Sequence, residues 1–358
     1  MNKPIHAAFI GAGFMGRVHT RAARTNGAIL SGIVGADIAE SERAAAALGI
    51  ERPYSCVDEM LADPTIDVVH ILTPNYLHAA QAKAVIEAGK HVICEKPLAL
   101  NSQDAGELTA LAREQGVVAA VPFSYRFHPM VREARHRLAG QPITTIHGRY
   151  MQDWLAGDTT DWRVSTSSGG KSRAFADIGS HLVDMIEFVT GQRIASLCAQ
   201  TLIAKPIRAG KTVDTEDAVA LVFETDKGAI GTFEVSQVAP GFKNLLAFEI
   251  STENETLAFK QPEPETLWIG KVNDTTIIHR DESHLSEDAA RLCNLPVGHP
   301  MGYNDAVCNF VRDVYASIRG EHPEGLPVFA DGLRAVRVTE AVLESAERRS
   351  WTTVPTTA

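Results

Sequence analysis

The sequence predicts an α/β protein: an N-terminal doubly wound parallel sheet, followed by an α+β domain built on a large, mostly antiparallel open sheet. Three observations predict it. Over residues 1–123, short runs that are apolar on both faces alternate with amphipathic stretches. Strands buried on both faces and separated by helices form a parallel sheet covered on both sides. From residue 124 the rhythm changes to paired β-like runs joined by short turn segments, the pattern of hairpins. With 358 residues the chain suits two domains, taken here as 1–123 and 124–358.

The elements follow in order. "HAAFIGAG", "AILSGIVGAD", "DVVHILTP", "KHVICEKP" and "GVVAAVPFS" read as the strands of the first domain. Between them, "HAAQAKAVIEAGK" and "SQDAGELTALAREQG" read as helices, the second with Ser102 as N-cap and Gly116 as stop. A helix over "HPMVREARHRLAG" leads into the strand "TTIHGRYMQDW", and residues 155–173 are polar and rich in Gly and Ser, a loop. A helix from about Gly179 to Val189 follows. Three hairpins come next: "DAVALVFET-DKG-AIGTFEVSQV", "LLAFEIST-ENE-TLAFK" and "TLWIG-KVND-TTIIHR". Helices near 303–319 and 331–348 close the chain, the last of them free to pack back on the first domain.

Composition excludes several classes. The net charge is −10, which leaves no electrostatic footprint for nucleic acid or an anionic membrane. Apolar runs are of strand length, short of the roughly 20 residues that span a bilayer. The N-terminus runs into a glycine loop without a signal-peptide pattern. Five cysteines, odd in number and never spaced C-x-x-C, read as reduced thiols in a cytoplasmic protein, with no zinc site expected.

Gly11-x-Gly13-x-x-Gly16 follows the first strand directly and opens a helix. In that context the glycines allow a tight turn and close approach of backbone to a pyrophosphate, while the helix N-terminus offers free N–H groups and partial positive charge. Gly11, Gly13, Phe14, Met15 and Gly16 are therefore the candidate phosphate loop of a Rossmann dinucleotide-binding domain. Asp37 ends the second strand, placed to accept hydrogen bonds from the adenosine ribose hydroxyls and to repel a 2′-phosphate. No Arg or Lys stands in the four residues after it. The preferred cofactor is NAD over NADP.

Ligands of doubly wound sheets sit beyond the carboxyl ends of the strands. Two of those ends carry chemistry: Thr73, Pro74, Asn75 and His78 after "DVVHIL", and Glu95 with Lys96 after "HVIC". Thr73, Asn75, His78, Glu95 and Lys96 are the candidates for the nicotinamide half of the cofactor. Taken alone, Glu95 and Lys96 read equally as a solvated pair at a loop start, and "DIGSHLVD" as a helix with an N-terminal Asp and a core-facing His.

The glycine loop, "TPNYLH" and "EKP" at this spacing, with "FSYRFHP" and "ADIGSHLVD" further on, resemble the glucose–fructose oxidoreductase/inositol dehydrogenase/MocA family along essentially the whole chain. The resemblance implies an NAD-dependent oxidoreductase acting on a sugar, glycoside or cyclic polyol. It also implies catalytic roles for Lys96, Asp177 and His181, a cis peptide before Pro97, and a homodimer or homotetramer. Oxidising a secondary alcohol needs a hydride acceptor and a group for the hydroxyl proton. Histidine has a suitable proton affinity, whereas lysine is a poor base unless burial or a nearby cation weakens its hold on the proton. His181 is accordingly favoured as acid/base and Lys96 as polariser, with the opposite assignment left open.

"RYMQDWLAGDTTDWRV" is rich in groups that grip sugars: the faces of Trp154 and Trp162, and the polar Gln152, Asp153 and Arg163. Tyr125 and Arg126, at the domain junction, are further candidates for substrate contact. Lys171 and Arg173 precede Asp177 where family counterparts are smaller and more apolar, which suggests either a more polar or anionic substrate or a surface loop. A pyranose is favoured over an inositol. A regulator that binds NAD and sugar without turnover is the rival from another class, and retention of Lys96 and His181 argues against it.

Overall fold

In the computed structural model, which describes residues 3–158 and 161–355, side-chain caps and left-handed glycines punctuate the first half of the chain. Asp37 Oδ1 accepts from Glu40 N at 2.7 Å and the Glu40 carboxylate accepts from Ala36 N at 2.7 Å; Gly49, at φ 63°, ends the same helix. Each such cap contributes about 1 kcal/mol. The next cap differs from expectation. Asn101, not Ser102, accepts from Asp104 N at 2.8 Å, because its amide reaches the third helical N–H from an extended backbone at φ −149°. Ser102 is the first helical residue.

Contacts divide the chain into two units, Met1–Ser124 with Tyr303–Leu333, and Tyr125–Gly302 with Arg334–Ala358. The first contains β1 (His6–Ile10), α1 (Phe14–Thr25), β2 (Ile29–Val34), α2 (Ile38–Leu48), β3 (Arg52–Pro53), α3 (Val57–Leu61), β4 (Val68–Ile71), α4 (Asn75–Glu87), β5 (His91–Cys94), α5 (Ser102–Gln115) and β6 (Ala119–Ala120). These strands form one sheet in the order β3-β2-β1-β4-β5-β6, every ladder parallel. That is the doubly wound order expected, with its switch point between β1 and β4.

The second unit carries α6 (Pro129–Leu138), β7 (Ile143–Met151), α7 (Thr166–Gly169), α8 (Ser180–Thr190), β8 (Ile194–Leu202), the small hairpin β9 (Ile207–Arg208) and β10 (Lys211–Thr212), then β11 (Ala218–Thr225), β12 (Ile230–Ser236), β13 (Leu245–Thr252), β14 (Glu255–Lys260), β15 (Thr266–Lys271), β16 (Thr275–His279) and α9 (Glu287–Ala290). Its nine-stranded sheet runs β16-β15-β14-β13-β7-β12-β11-β8, ending on β17 (Thr352–Thr353). Among the described residues of this sheet, only β7 and β12 pair in parallel. The three hairpins form as read, at β11–β12, β13–β14 and β15–β16. Burial alternates along β11, and along β12 as far as Val235. Helix α8 packs over β7, and α6 over β14 and β15, so one face is covered while the other stays open.

α10 (Tyr303–Ile318) belongs to the first unit, whereas the sequence division at 123/124 places it in the second. The reason is local packing. α10 lies on α1, Asn26 Nδ2 donates to Cys308 O at 2.9 Å, and Val121 N donates to Pro327 O at 3.2 Å. α11 (Phe329–Arg348) begins in the first unit and continues in the second from Arg334. Arg334 pairs there with the buried Glu187 at 2.7 Å.

Candidate functional site

The carboxyl ends of β1, β2, β4 and β5 lie side by side, since Ile10 pairs with both Val34 and Ile71, and Ile71 with Cys94. Four chain reversals therefore share one edge of the sheet: the glycine loop, Asp37, Thr73–Asn75 and Glu95–Lys96. Gly11 has φ +106°, and a Cβ there would lie 2.8 Å from Leu72 O. At Gly16 a Cβ would press on Gly11 O at 3.0 Å. At Gly13 it would meet nothing within 4 Å, so that glycine keeps space open at the start of α1. Gly13 is also the N-cap and offers no side-chain acceptor, which leaves the first N–H groups of α1 facing that space. Phe14 is exposed and Met15 partly so. A pyrophosphate fits such a cradle in both size and charge.

At the other ends the geometry is more specific. Asp37 is exposed. Thr73 Oγ1 donates to Gln81 Oε1 at 2.6 Å, and Asn75 opens α4. His78 is 1% exposed, with Nδ1 at 2.7 Å from Pro97 O and Nε2 at 2.8 Å from Thr73 O. It is a brace between two turns, its ring engaged by main-chain carbonyls, and burial lowers its pKa. The Lys96–Pro97 peptide is cis, as the resemblance implied. Glu95 is 7% exposed and turns inward: Oε1 lies 3.2 Å from His19 Nε2, and Oε2 accepts from Lys96 N at 3.2 Å.

A second group of candidates gathers on the other unit. Asp177 sits on a π-helical turn, Phe175–Gly179, and His181 is the second residue of α8, which follows without a break. Such turns recur at functional sites because the wide turn re-aims side chains. Asp177 Oδ2 accepts from Gln237 Nε2 at 2.7 Å and lies 4.0 Å from Arg163 Nε. The Arg163 guanidinium stands 4.2 Å from the Trp162 ring centre and 5.7 Å from that of Trp154. The three side chains read from "WLAGDTTDWR" thus form one stack next to Asp177. Thr159 and Thr160 of this loop lie outside the described residues.

The His181 ring packs edge-on against Tyr125, centroids 5.1 Å apart. Tyr125 Oη meets Tyr150 Oη at 2.6 Å, and Asn244 joins both hydroxyls: its Nδ2 donates to Tyr125 at 3.2 Å and its Oδ1 accepts from Tyr150 at 2.9 Å. Gln152 Nε2 donates to the same Oδ1 at 2.7 Å and its Oε1 accepts from Trp154 Nε1 at 2.9 Å. Burial pushes the Tyr125 phenol up, so it stays protonated. The network runs from His181's neighbour to the tryptophan stack.

Two sequence readings are corrected. Arg126 is 5% exposed; its Nε donates to Asp184 Oδ2 at 2.7 Å and its guanidinium lies over Phe188 at 4.8 Å, so it braces α8. Arg173 marks neither an anionic substrate nor a surface loop. Its buried guanidinium bonds Asp217 Oδ1, which Arg208 Nη2 also reaches at 2.6 Å. Beside it, Glu216 accepts from Ser172 Oγ at 2.7 Å and Phe175 N at 2.9 Å, while Arg208 Nη1 donates to Gly157 O at 3.0 Å. This buried charge cluster pins both ends of the loop that carries Trp162 and Arg163. Gln237, Tyr150 and Asn244 escaped the sequence reading. Their one signal was a side chain with a polar group at or next to a strand end.

The family model for the oxidoreductase family with NAD-binding Rossmann fold, GFO_IDH_MocA, matches residues 5–123, and the GFO/IDH/MocA C-terminal domain model matches residues 133–258. The crystal structure of an oxidoreductase domain protein from Kribbella flavida is similar at a TM-score of 0.91 and 31% identity, over 99% of this chain and 100% of that one. Levoglucosan dehydrogenase of Pseudarthrobacter phenanthrenivorans is 28% identical over 388 aligned positions, 98% of each chain. A solved levoglucosan dehydrogenase, in complex with NADH and levoglucosan, has a TM-score of 0.92 at 29% identity, over 99% of this chain and 100% of that one. An inositol dehydrogenase homolog from Azotobacter vinelandii, complexed with NADH and myo-inositol, has a TM-score of 0.89 at 25% identity, over 99% and 98%. In sequence and in fold, the chain belongs to the GFO/IDH/MocA family of oxidoreductases with an NAD-binding Rossmann domain.

Proposed function

We propose that this protein is an NAD-dependent dehydrogenase that moves a hydride between nicotinamide and a ring hydroxyl or ketone of a pyranose sugar or glycoside. The observation that carries the pyranose is the Trp154–Arg163–Trp162 stack beside Asp177. Tryptophan rings stacked with a guanidinium and set beside a carboxylate suit a ring that alternates C–H and O–H surfaces. The likeness to levoglucosan dehydrogenase over nearly the full length supports the same choice.

The glycine loop and the start of α1 hold the pyrophosphate, and Asp37 the adenosine ribose. Bound NAD⁺ supplies the hydride acceptor. The protein's own side chains manage the proton and the oxygen. His181 takes the hydroxyl proton as the C–H bond breaks, and returns it when the ketone is reduced. Lys96 is assigned as the polariser, a donor that stabilises negative charge growing on an alcohol oxygen. Asp177, fixed by Gln237, accepts from a substrate hydroxyl and orients the ring.

We also assign the open sheet face to contact between copies, as a homodimer or homotetramer. Val222 (44% exposed), Ile230 (61%), Trp268 (39%) and Ile277 (55%) stand on it. Five free cysteines fit a cytoplasmic setting, and no described helix is long and apolar enough to cross a membrane.

A panel of pyranoses, levoglucosan, 3-keto glycosides and inositols with NAD⁺, NADP⁺ and their reduced forms, followed at the reduced-nicotinamide band, tests the reading. Turnover of a pyranose with NAD⁺ above that of any inositol is the expected result. Preference for an inositol, or for NADP⁺, would reject the substrate or the cofactor assignment respectively. Sedimentation velocity tests the assembly, a monomer at micromolar concentration being the contrary result.

A further inference from the structure

We infer that His19, His70 and Tyr315 are positioning residues for Lys96, acting through Glu95 along one buried, one-directional hydrogen-bond chain. The inference rests on the catalytic reading of Lys96. The three side chains come from three elements of the first unit, α1, β4 and α10, and none is exposed. Tyr315 Oη lies 3.1 Å from His70 Nε2, His70 Nδ1 lies 3.0 Å from His19 Nδ1, and His19 Nε2 lies 3.2 Å from Glu95 Oε1. The two imidazoles meet edge to face at 5.3 Å, and His70 also packs on Phe9 at 4.9 Å.

With one proton on each imidazole, counting protons gives the direction. Each contact needs one donor and one acceptor. A Glu95 carboxylate only accepts, so His19 carries its proton on Nε2. His19 Nδ1 is then an acceptor, so His70 carries its proton on Nδ1. His70 Nε2 is left to accept, and the Tyr315 hydroxyl donates to it. Every contact is satisfied with a single ionised member. The opposite direction needs a proton on both ring nitrogens of His19, in an ion pair with Glu95, and the tautomers read below distinguish the two arrangements. Burial and the neighbouring His19 hold the His70 pKa well below its ordinary value, and burial raises that of Tyr315. Both therefore stay neutral, as the chain requires.

The chain has a mechanical consequence. Glu95 is gripped at Oε1 by His19, while its Oε2 accepts from the backbone N–H of Lys96 at 3.2 Å. His19 rides on the helix that begins at the glycine loop, and Tyr315 on α10, which packs against that helix. The backbone at Lys96 is thereby tied to the helix that receives the pyrophosphate. In this arrangement Glu95 is the anionic end of an internal support.

The test uses the full-length protein with NAD⁺, labelled with ¹⁵N-histidine, and reads the ring-nitrogen signals alongside steady-state kinetics. The expected result is His70 with its proton on Nδ1, the less common tautomer of free histidine, and His19 with its proton on Nε2. Tyr315→Phe should release His70 to the Nε2–H tautomer and lower kcat about tenfold, with the KM for NAD⁺ within about twofold. His19→Gln, whose amide can still donate to Glu95, should keep most of the kcat that His19→Leu loses. An Nε2–H tautomer for His70 in the wild type, unchanged rings in Tyr315→Phe, or equal loss in both His19 variants would overturn the inference. The tautomers are read whether or not substrate turns over. Those tautomers together with a fully active Lys96→Ala variant would therefore reject the reading of Lys96 instead.

Discussion

Gln237 donates its side-chain Nε2–H to Oδ2 of Asp177 at 2.7 Å, across 60 residues of sequence. Its own Oε1 is buried, with no hydrogen-bond partner among the described residues. The amide therefore serves Asp177 more than it serves the fold. Gln237→Leu removes both the donor and the orphaned acceptor, so the stability change should be small, within about 1 kcal/mol. Activity should fall roughly 10- to 100-fold, the effect of losing a hydrogen bond to a charged group. Denaturant melts and kcat/KM on the best pyranose separate the two effects. A large loss of stability with normal kcat/KM would assign Gln237 to the fold.

Gly11 and Gly13 should respond differently to one added methyl. Gly11→Ala places a Cβ 2.8 Å from Leu72 O at φ +106° and should destabilise by about 1–3 kcal/mol. Gly13→Ala meets nothing within 4 Å, and its φ of −73° suits alanine. That variant should melt like the wild type yet bind NAD⁺ at least about tenfold more weakly, because the methyl stands where the pyrophosphate approaches. Calorimetry and a cofactor titration check both.

Asp37 has two roles that a serine separates. It caps α2 through Glu40 N, and it presents negative charge at the end of β2. Serine caps nearly as well, so Asp37→Ser should keep the melting temperature within a few degrees. The NADP⁺-to-NAD⁺ ratio of kcat/KM should rise by about tenfold or more once the carboxylate no longer repels a 2′-phosphate. An unchanged ratio would remove Asp37 from cofactor selection.

The Arg173–Asp217–Arg208 cluster predicts an acid-sensitive fold. Burial alone would raise the Asp217 carboxyl. Hydrogen bonds from Arg173 and Lys205 N, the Arg173 charge and a bond from Arg208 outweigh it and hold the pKa below its ordinary value. A depressed native value gives stability that is present above the unfolded value of about 4 and is lost as pH falls through the native one. Asp217→Asn leaves two buried guanidiniums without their anion and should cost about 3–5 kcal/mol at neutral pH. Its stability should also fall less steeply than the wild type's below about pH 4. Urea melts across that range measure both slopes.

Much of this architecture was legible because its signals are local. The glycine loop, the three hairpins and "EKP" each declare themselves within ten or twenty residues. β8 did not: in "IASLCAQTL" each face mixes large apolar side chains with small or polar ones, so alternation leaves little contrast. β17 is two residues long and exists only because β8 accepts it. Arg173 and Arg126 looked like surface or substrate groups because their partners, Asp217 and Asp184, lie 44 and 58 residues away. His19 and His70 carry no local mark, since their meeting depends on how α1 sits on the sheet at β4. Side chains that join distant elements are where reading the sequence ends.

The central claim is that Lys96, at the end of β5, takes part in the hydride-transfer step. Single-turnover reduction of bound NAD⁺ by the preferred pyranose, in wild type and Lys96→Ala, tests it most directly. The account predicts a rate about a hundred- to a thousandfold lower in the variant, the scale of losing one donor to a developing oxyanion. An undiminished single-turnover rate in Lys96→Ala would contradict it.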